Sequence, residues 1–486
     1  MIGSSDGPLT ETATGDGAAA DPHDERTRVL GLVRRFGWNA TSFQVLEPGY
    51  RYFFADGAAC VAYVDTGSAW VAAGAPLADE ARLADVTAAF LRAARAENRR
   101  ACFFATEDRF TGQVRLRSLL IGEQPVWEPA RWEGALRSRS SLREQLRRAR
   151  AKGVRVHVFD ARTANAAGGA LRDAIGGFVK RWQGARELAP LGFLASVDPL
   201  ALLFLPDRPV FVAEQAGTLV GLLSVAPIHG REGWLLQNLL RALDAPNGTA
   251  EALFDAAMRD AAARGLTFVT LGLAPLAGPV ARPLRVARHA GRRLFNFEGL
   301  RAFKAKLQPA RWDPVYLSFP EDTSAVRAIV DALAAFARGN FFRFGIETLA
   351  RGPALLVSLL ALLLVPWTVL LACCEWRRWF PHPALKWGWV AFDVLVAAGL
   401  LTLRRRWRPS LAYLLLTAVG ADAVATTLEA IWWNLPRAAG AVMGGVLVVA
   451  ALAPVVAALV LAAAIHRHVV VAVPGPAIGR EHAPLV

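Results

Sequence analysis

Residues 234–276, WLLQNLLRALDAPNGTAEALFDAAMRDAAARGLTFVTLGLAPL, decide how this chain is read. An apolar strand-like run ends in Asn238 and Arg241. The turn Ala245-Pro-Asn-Gly-Thr249 follows, then a helix near 249–264, then a strand over 267–272 that runs into Leu271-Gly-Leu-Ala-Pro-Leu276. Asn247 or Thr249 is placed to cap the helix N-terminus. Free N–H groups and the helix dipole make such an end a site for a phosphate or a carboxyl-ester oxygen. An ordinary capped turn has the same local sequence, so both readings stand.

The elements on either side alternate in the same way. Residues 59–64 (ACVAYV), 69–73 (AWVAA), 101–105 (ACFFA) and 154–158 (VRVHV) have strand character, and 80–95 and 167–184 have helix character. PVFVAE (209–214) and TLVGLLSV (218–225), separated by Gln-Ala-Gly, predict an antiparallel hairpin. Strands and helices mixed in this order indicate an α/β (α+β) sheet fold with elements enough for two domains, 26–160 and 161–320. Residues 1–25 are rich in Gly, Ala, Asp and Thr, lack the basic start and apolar core of a secretory signal, and are expected to form a disordered tail.

The chain changes character after residue 352. Residues 353–374 hold no charge, long enough to span a bilayer. Apolar runs at 387–403 and 409–435 contain Asp393, Asp422 and Glu429, and 438–465 is again uncharged. Four transmembrane helices are expected within 353–468, followed by a tail at 469–486. Acids inside such segments are expensive and often functional. The Arg404, Arg405, Arg406 and Arg408 loop places the second-to-third connection in the cytoplasm, and with it both chain ends. Arg377 and Arg378 run against that orientation, partly offset by Glu375. Residues 321–352 form an amphipathic connector that either lies on the membrane surface or packs as a plain helix.

The net charge is +14 over 486 residues, which favours polyanionic partners such as RNA or an anionic membrane. The densest basic run is 137–155, RSRSSLREQLRRARAKGVR. As a helix its charges cover most faces, so burial is not expected. Arg143, Arg147, Arg148, Arg150 and Lys152 are candidates for nucleic-acid or lipid phosphates, against the alternative of a solvated helix. Cys60, Cys102, Cys373 and Cys374 have neither metal-ligand spacing nor a disulfide pattern. No phosphate-binding loop, dinucleotide fingerprint or nucleophile elbow is found, and no cofactor or metal is expected.

Several segments together resemble the phosphatidylglycerol lysyltransferase C-terminal domain family. The Ala-Pro-Asn-Gly-Thr turn and Leu271–Pro275 match it closely. Phe297-Glu-Gly-Leu-Arg-Ala-Phe-Lys-Ala-Lys306 matches its Phe-x-Gly-Leu-x-x-Phe-Lys-x-Lys pattern, and Pro309 with Trp312 its ending. Leu142–Gly153 and Trp182–Phe193 are similar more loosely, so the resemblance covers about 40–320. It implies tandem GNAT-like acyltransferase domains; with the four-helix transmembrane bundle and the arginine distribution read above, the chain is expected to be a multi-pass bacterial-type cell-membrane protein whose sheet domain faces the cytoplasm. It further implies aminoacyl-tRNA as donor and an anionic membrane lipid as acceptor.

The resemblance also implies the site. Asn238, Arg241 and Lys304 occupy its catalytic positions, with Asp244, Asn247, Gly248, Thr249, Lys306 and Arg301 as substrate-binding candidates. Lys304 and Lys306, two apart, would share one face of a strand. The family's Asp is Asn238 here, and an amide cannot serve as general base. Two other readings therefore remain: a non-catalytic lipid- or RNA-binding relative, and a peptidoglycan-precursor-type aminoacyltransferase.

Overall fold

The computed structural model describes residues 22–186, 189–200, 208–280, 284, 297–351, 353–373, 375, 380, 382–405, 407–434, 436 and 441–471. Residues 1–21 and 472–486, which make up most of the two expected tails, lie outside them, as do Arg377, Arg378 and Arg406.

Chain order begins with α1 (Pro22–Phe36), β1 (Arg51–Asp56), β2 (Ala59–Asp65), β3 (Ala69–Ala73), α2 (Leu83–Ala96), β4 (Arg100–Thr106), α3 (Asp108–Thr111) and β5 (Arg117–Trp127). Next come α4 (Trp132–Ser138), α5 (Ser140–Ala151), β6 (Val154–Phe159), α6 (Ala161–Gly184), β7 (Val210–Gln215), β8 (Thr218–Ile228), β9 (Gly233–Arg241), α7 (Thr249–Ala263), β10 (Phe268–Thr270) and β11 (Ala274–Pro275). Then α8 (Phe297–Lys306), β12 (Arg311–Phe319), α9 (Ala325–Phe336) and α10 (Phe341–Arg351) lead to four apolar helices. These are α11 (Pro353–Cys373), α12 (Pro383–Arg405), α13 (Pro409–Glu429) and α14 (Ala441–Val471).

The strands form one mixed sheet in the order β1-β2-β3-β4-β12-β5-β10-β9-β8-β7-β6, with β11 paired to β5. Only β3–β4 and β9–β10 are parallel among the described pairs, and each is bridged by a helix, α2 or α7. A parallel neighbour needs such a crossover, whereas the β7–β8 hairpin closes in two residues. Ala216 (φ +50) and Gly217 (φ +79) are both left-handed there, the turn geometry that matches strand twist. The centre is an exchange: β12, from late in the chain, lies between β4 and β5, and β5 lies beside β10.

Two helices differ from expectation. α5 is not charged all round: Leu142, Leu146 and Ala149 make one stripe buried with Trp132, Phe254 and Met258. Lys304 and Lys306 stand on α8, a helix, and not on a strand. Phe297, Leu300 and Phe303 repeat at helical spacing, which overrides the alternation that two lysines suggest.

Helices α11–α14 pack around Ala361, Val396, Leu400, Leu415, Val419 and Leu461. They leave Leu362, Leu395, Leu414 and Leu459 exposed. Among the described residues, Pro383–Leu403 and Pro409–Asn434 are long and apolar enough to cross a membrane, and Leu359–Cys373 and Ala450–His466 are shorter apolar stretches. Asp393, Asp422 and Glu429 line a cavity of about 560 Å³ between these helices, and Thr426 Oγ1 donates to Asp422 Oδ1 at 2.8 Å. Asp422 and Glu429 share a face because seven residues are close to two helical turns.

Candidate functional site

The site is organised by β9. It pairs with β8 from Gly221↔Arg241 to Ser224↔Asn238, then from Val225↔Leu236 to Ile228↔Gly233. Gln237 is the extra residue, a β-bulge, a device that re-aims side chains. Asn238 is buried, and its Nδ2 donates to Ser224 Oγ at 2.9 Å. Gln237 turns to a seam between the two ends of the sheet. Its Nε2 donates to Glu47 Oε1, and its Oε1 accepts from Arg208 Nη2 at 2.8 Å.

Arg208 is only 2 % exposed. Its Nε donates to the Val225 carbonyl at 2.5 Å, and its Nη1 has no partner among the described residues. Burial lowers its pKa to about 10. Burial also pushes the Glu47 carboxyl up to about 7, outweighing the Gln237 hydrogen bond and the Arg208 charge that act the other way. Neither Glu47 nor Arg208 was singled out in the sequence. The consecutive polar pair Gln237-Asn238 in an otherwise apolar strand is the signal that marks the bulge.

Past Leu235 the neighbouring strand departs. β10 follows β9 only from Phe268↔Gly233 to Thr270↔Leu235. The Leu271, Gly272 and Leu273 carbonyls instead accept from Lys304 Nζ at 2.9, 2.8 and 2.9 Å. Burial draws Lys304 down to about 7, while three carbonyls occupy all three donors of the ammonium. Lys304 thus fixes the strand end that the motif Leu-Gly-Leu forms.

The N-terminus of α7 corrects the capping expectation. Neither Asn247 nor Thr249 caps it; the N-cap is Gly248, at φ +96. A Cβ there would sit 2.3 Å from the Gln145 carbonyl oxygen, so α5 lies directly on this helix end. Thr249 is buried and its hydroxyl donates to the Pro246 carbonyl at 2.7 Å, while Asn247 is exposed. Lys306 Nζ links the two helices, donating to Glu251 Oε1 at 2.8 Å and Gln145 Oε1 at 2.5 Å. Arg301 lies 3.6 Å from Glu123 and over the Trp312 ring, away from the bulge pair.

At the far end of β9 is a cleft of about 1360 Å³. Arg241 and Asp244 line it together with Lys152, Arg155, Arg181, Trp182, Arg186 and Glu214. Five cations face two carboxylates. The Arg186 guanidinium sits 4.0 Å from the Trp182 ring centroid, and burial lowers its pKa. Of the basic run, Lys152 alone among the five candidates faces this cleft. Arg147 and Arg148 both bind Glu144 at 2.8 Å, pulling its carboxyl down to about 2. Arg143 donates to the Leu136 carbonyl at 3.1 Å and also to the Arg137 carbonyl, and Arg150 lies 3.6 Å from Asp255.

Residues 31–319, the whole sheet, match the family model described as phosphatidylglycerol lysyltransferase, C-terminal. The chain belongs to this family. A phosphatidylglycerol lysyltransferase of Bacillus subtilis (strain 168) is 33% identical over 154 residues, 29% of this chain but 17% of that protein, so the chain spans about a sixth of its relative. The solved C-terminal domain of an Agrobacterium fabrum protein named as a lysylphosphatidylglycerol synthetase is 25% identical. It superposes with a TM-score of 0.56, covering 66% of this chain and 99% of that one. The L-PGS structure from Bacillus licheniformis, 22% identical with a TM-score of 0.52 and covering 65% and 97%, shares the fold.

Proposed function

We propose that this chain moves an aminoacyl group from aminoacyl-tRNA to a hydroxyl of an anionic membrane lipid. The observation that carries the reading is the family match across the entire sheet, centred on a strand that opens into a basic cleft. An aminoacyl ester is already activated, so the protein's task is to align donor and acceptor and stabilise a tetrahedral oxyanion. The sheet is two N-acetyltransferase-like units in tandem, 26–160 and 161–320, that share β5 and β12 across their boundary. The cleft around Arg241 receives the polyanionic donor. Lys304 shapes the strand end, and Asn238 positions by hydrogen bonding.

Helices α11–α14 are read as a four-helix membrane bundle. Their exposed leucines face lipid, and the sheet stands on the cytoplasmic side, where charged tRNA is found. Asn238, an amide where the family carries a carboxylate, favours a second reading, a binding protein that has lost catalysis. Lipid profiling of cells with and without the protein separates the two. The expected result is an aminoacylated lipid that depends on the protein. Its absence for every amino acid, with the protein present in the membrane, rejects the transferase.

A further inference from the structure

The transferase reading leaves a chemical vacancy. The attacking lipid hydroxyl must lose a proton, and Asn238 cannot take it. The seam beneath the bulge holds the groups that reaction needs. Glu47 is a buried carboxylate on the loop before β1, held by Gln237. Arg208 brings a buried guanidinium whose Nη1 has no partner among the described residues. The Tyr50 hydroxyl, three residues beyond Glu47, is also buried without a partner there. Unmatched buried donors are rare in native folds and ask for an explanation. Two of them beside one carboxylate, next to a β-bulge, make a prepared site and not a packing accident.

Reach fits as well. Arg241, on the rim of the basic cleft, is four residues beyond the bulge residue Gln237 on the same strand, or about 13 Å at the strand rise. A donor whose phosphates rest in the cleft would extend its terminal acyl ester along β9 to the bulge.

We propose that this seam is the acyl-transfer centre, with Arg208 Nη1 holding the ester carbonyl oxygen and Glu47 accepting the proton of the attacking hydroxyl. The inference rests on the transferase reading and assigns its chemistry. The hydroxyl oxygen bonds to the ester carbon as its proton passes to Glu47, and the carbonyl electron pair moves onto the oxygen facing Arg208. Collapse restores the carbonyl and breaks the bond to the ribose oxygen, which takes the proton back from Glu47. One ester is exchanged for another and Glu47 ends as it began. Asn238, hydrogen-bonded to Ser224, is then a positioning residue.

The groups that face Glu47 are Arg208, Asp198, Gln237 and Tyr50. Glu47→Gln preserves shape and the Gln237 contact. Tyr50→Phe removes a hydroxyl that has no partner, which should leave the fold as stable or more so. The test uses the full chain in vesicles containing anionic phospholipid, with total tRNA charged with labelled amino acids, and records transfer rates from pH 5.5 to 8.5 together with melting temperatures. Wild-type transfer should rise with pH through about 7. Glu47→Gln should lose about 100-fold or more and its pH dependence, as loss of a general base requires. Tyr50→Phe should melt at or above the wild-type temperature. Wild-type transfer with Glu47→Gln within threefold of it overturns this assignment and leaves the transferase reading standing. No transfer by the wild type with any amino acid removes both.

Discussion

Arg208 and Arg241 are the same residue type acting on the same strand in opposite surroundings. Arg208, buried, grips the middle of β9 through Gln237, and each of its bonds has a fixed direction. Arg241 ends β9 in an open cleft beside Lys152, Arg155 and Arg181. A buried guanidinium acts through geometry and is costly when its partners are lost; an exposed one acts through charge that salt screens. On the proposed reading, one strand carries a place to collect a polyanion and, four residues away at Gln237, a place to orient it.

The largest expected effect breaks the buried end. Arg208→Met strips Gln237 and Val225 of a donor and leaves Glu47 without its nearby cation. Removing one member of such a buried set should destabilise the fold by about 3–5 kcal/mol, read from denaturant unfolding in detergent. A loss below about 1 kcal/mol would mean the seam is hydrated, and the contrast with Arg241 would collapse. Near neutral pH the loss should lie towards the lower figure, because burial already holds Glu47 largely protonated up to about 7.

A smaller effect sharpens the exposed end. Replacing Arg155, Arg181 and Arg241 together by Ala should leave stability within about 1 kcal/mol. It should weaken tRNA binding and flatten its salt dependence. Each lost phosphate contact lowers the slope of log K against log salt by about 0.7–0.9, so three should lower it by about 2–3. Filter binding across a salt series reads this directly. An unchanged slope would assign the cleft to something other than a polyanion.

How much of this was legible differs along the same strand. The crossover at 234–276, the β7–β8 hairpin and the four apolar helices follow from local pattern: an apolar run ending in a Pro-Asn-Gly turn, a short Gly-containing turn, and long apolar stretches with few charges. β5 and β12 did not show themselves, because Pro125 and Pro314 sit inside them and proline reads as a break. Their pairing across some 190 residues is what joins the two halves, and no local signal encodes it. Arg241 and Asp244 came from the family resemblance, and both line the basic cleft. Glu47 and Arg208 were not legible. A glutamate before a turn and an arginine between prolines look like surface, and only tertiary packing buries them. The lysines of α8 misled for the opposite reason: spacing suggested a shared strand face, whereas Lys304 is committed to three carbonyls and Lys306 to Glu251.

The smallest expected effect lies between the two arginines and is the most diagnostic. Asn238→Asp restores a carboxylate at the position where the family carries one. The site is 4 % exposed and offers one hydroxyl, Ser224, which can turn from acceptor to donor. Burial favours the neutral acid there, so the cost should be about 1–3 kcal/mol, the range for a buried polar group with an incomplete set of partners. If Glu47 already removes the proton, a second carboxylate adds nothing to the chemistry, and transfer should stay within about threefold of wild type. A rise of tenfold or more would place the base at 238, make this chain a relative with a lost general base, and return Glu47 and Arg208 to a purely structural seam. Combining Asn238→Asp with Glu47→Gln closes the argument. Rescue in the double variant means that the two carboxylates reach the same proton, and its absence means that only the seam lies within reach of the hydroxyl.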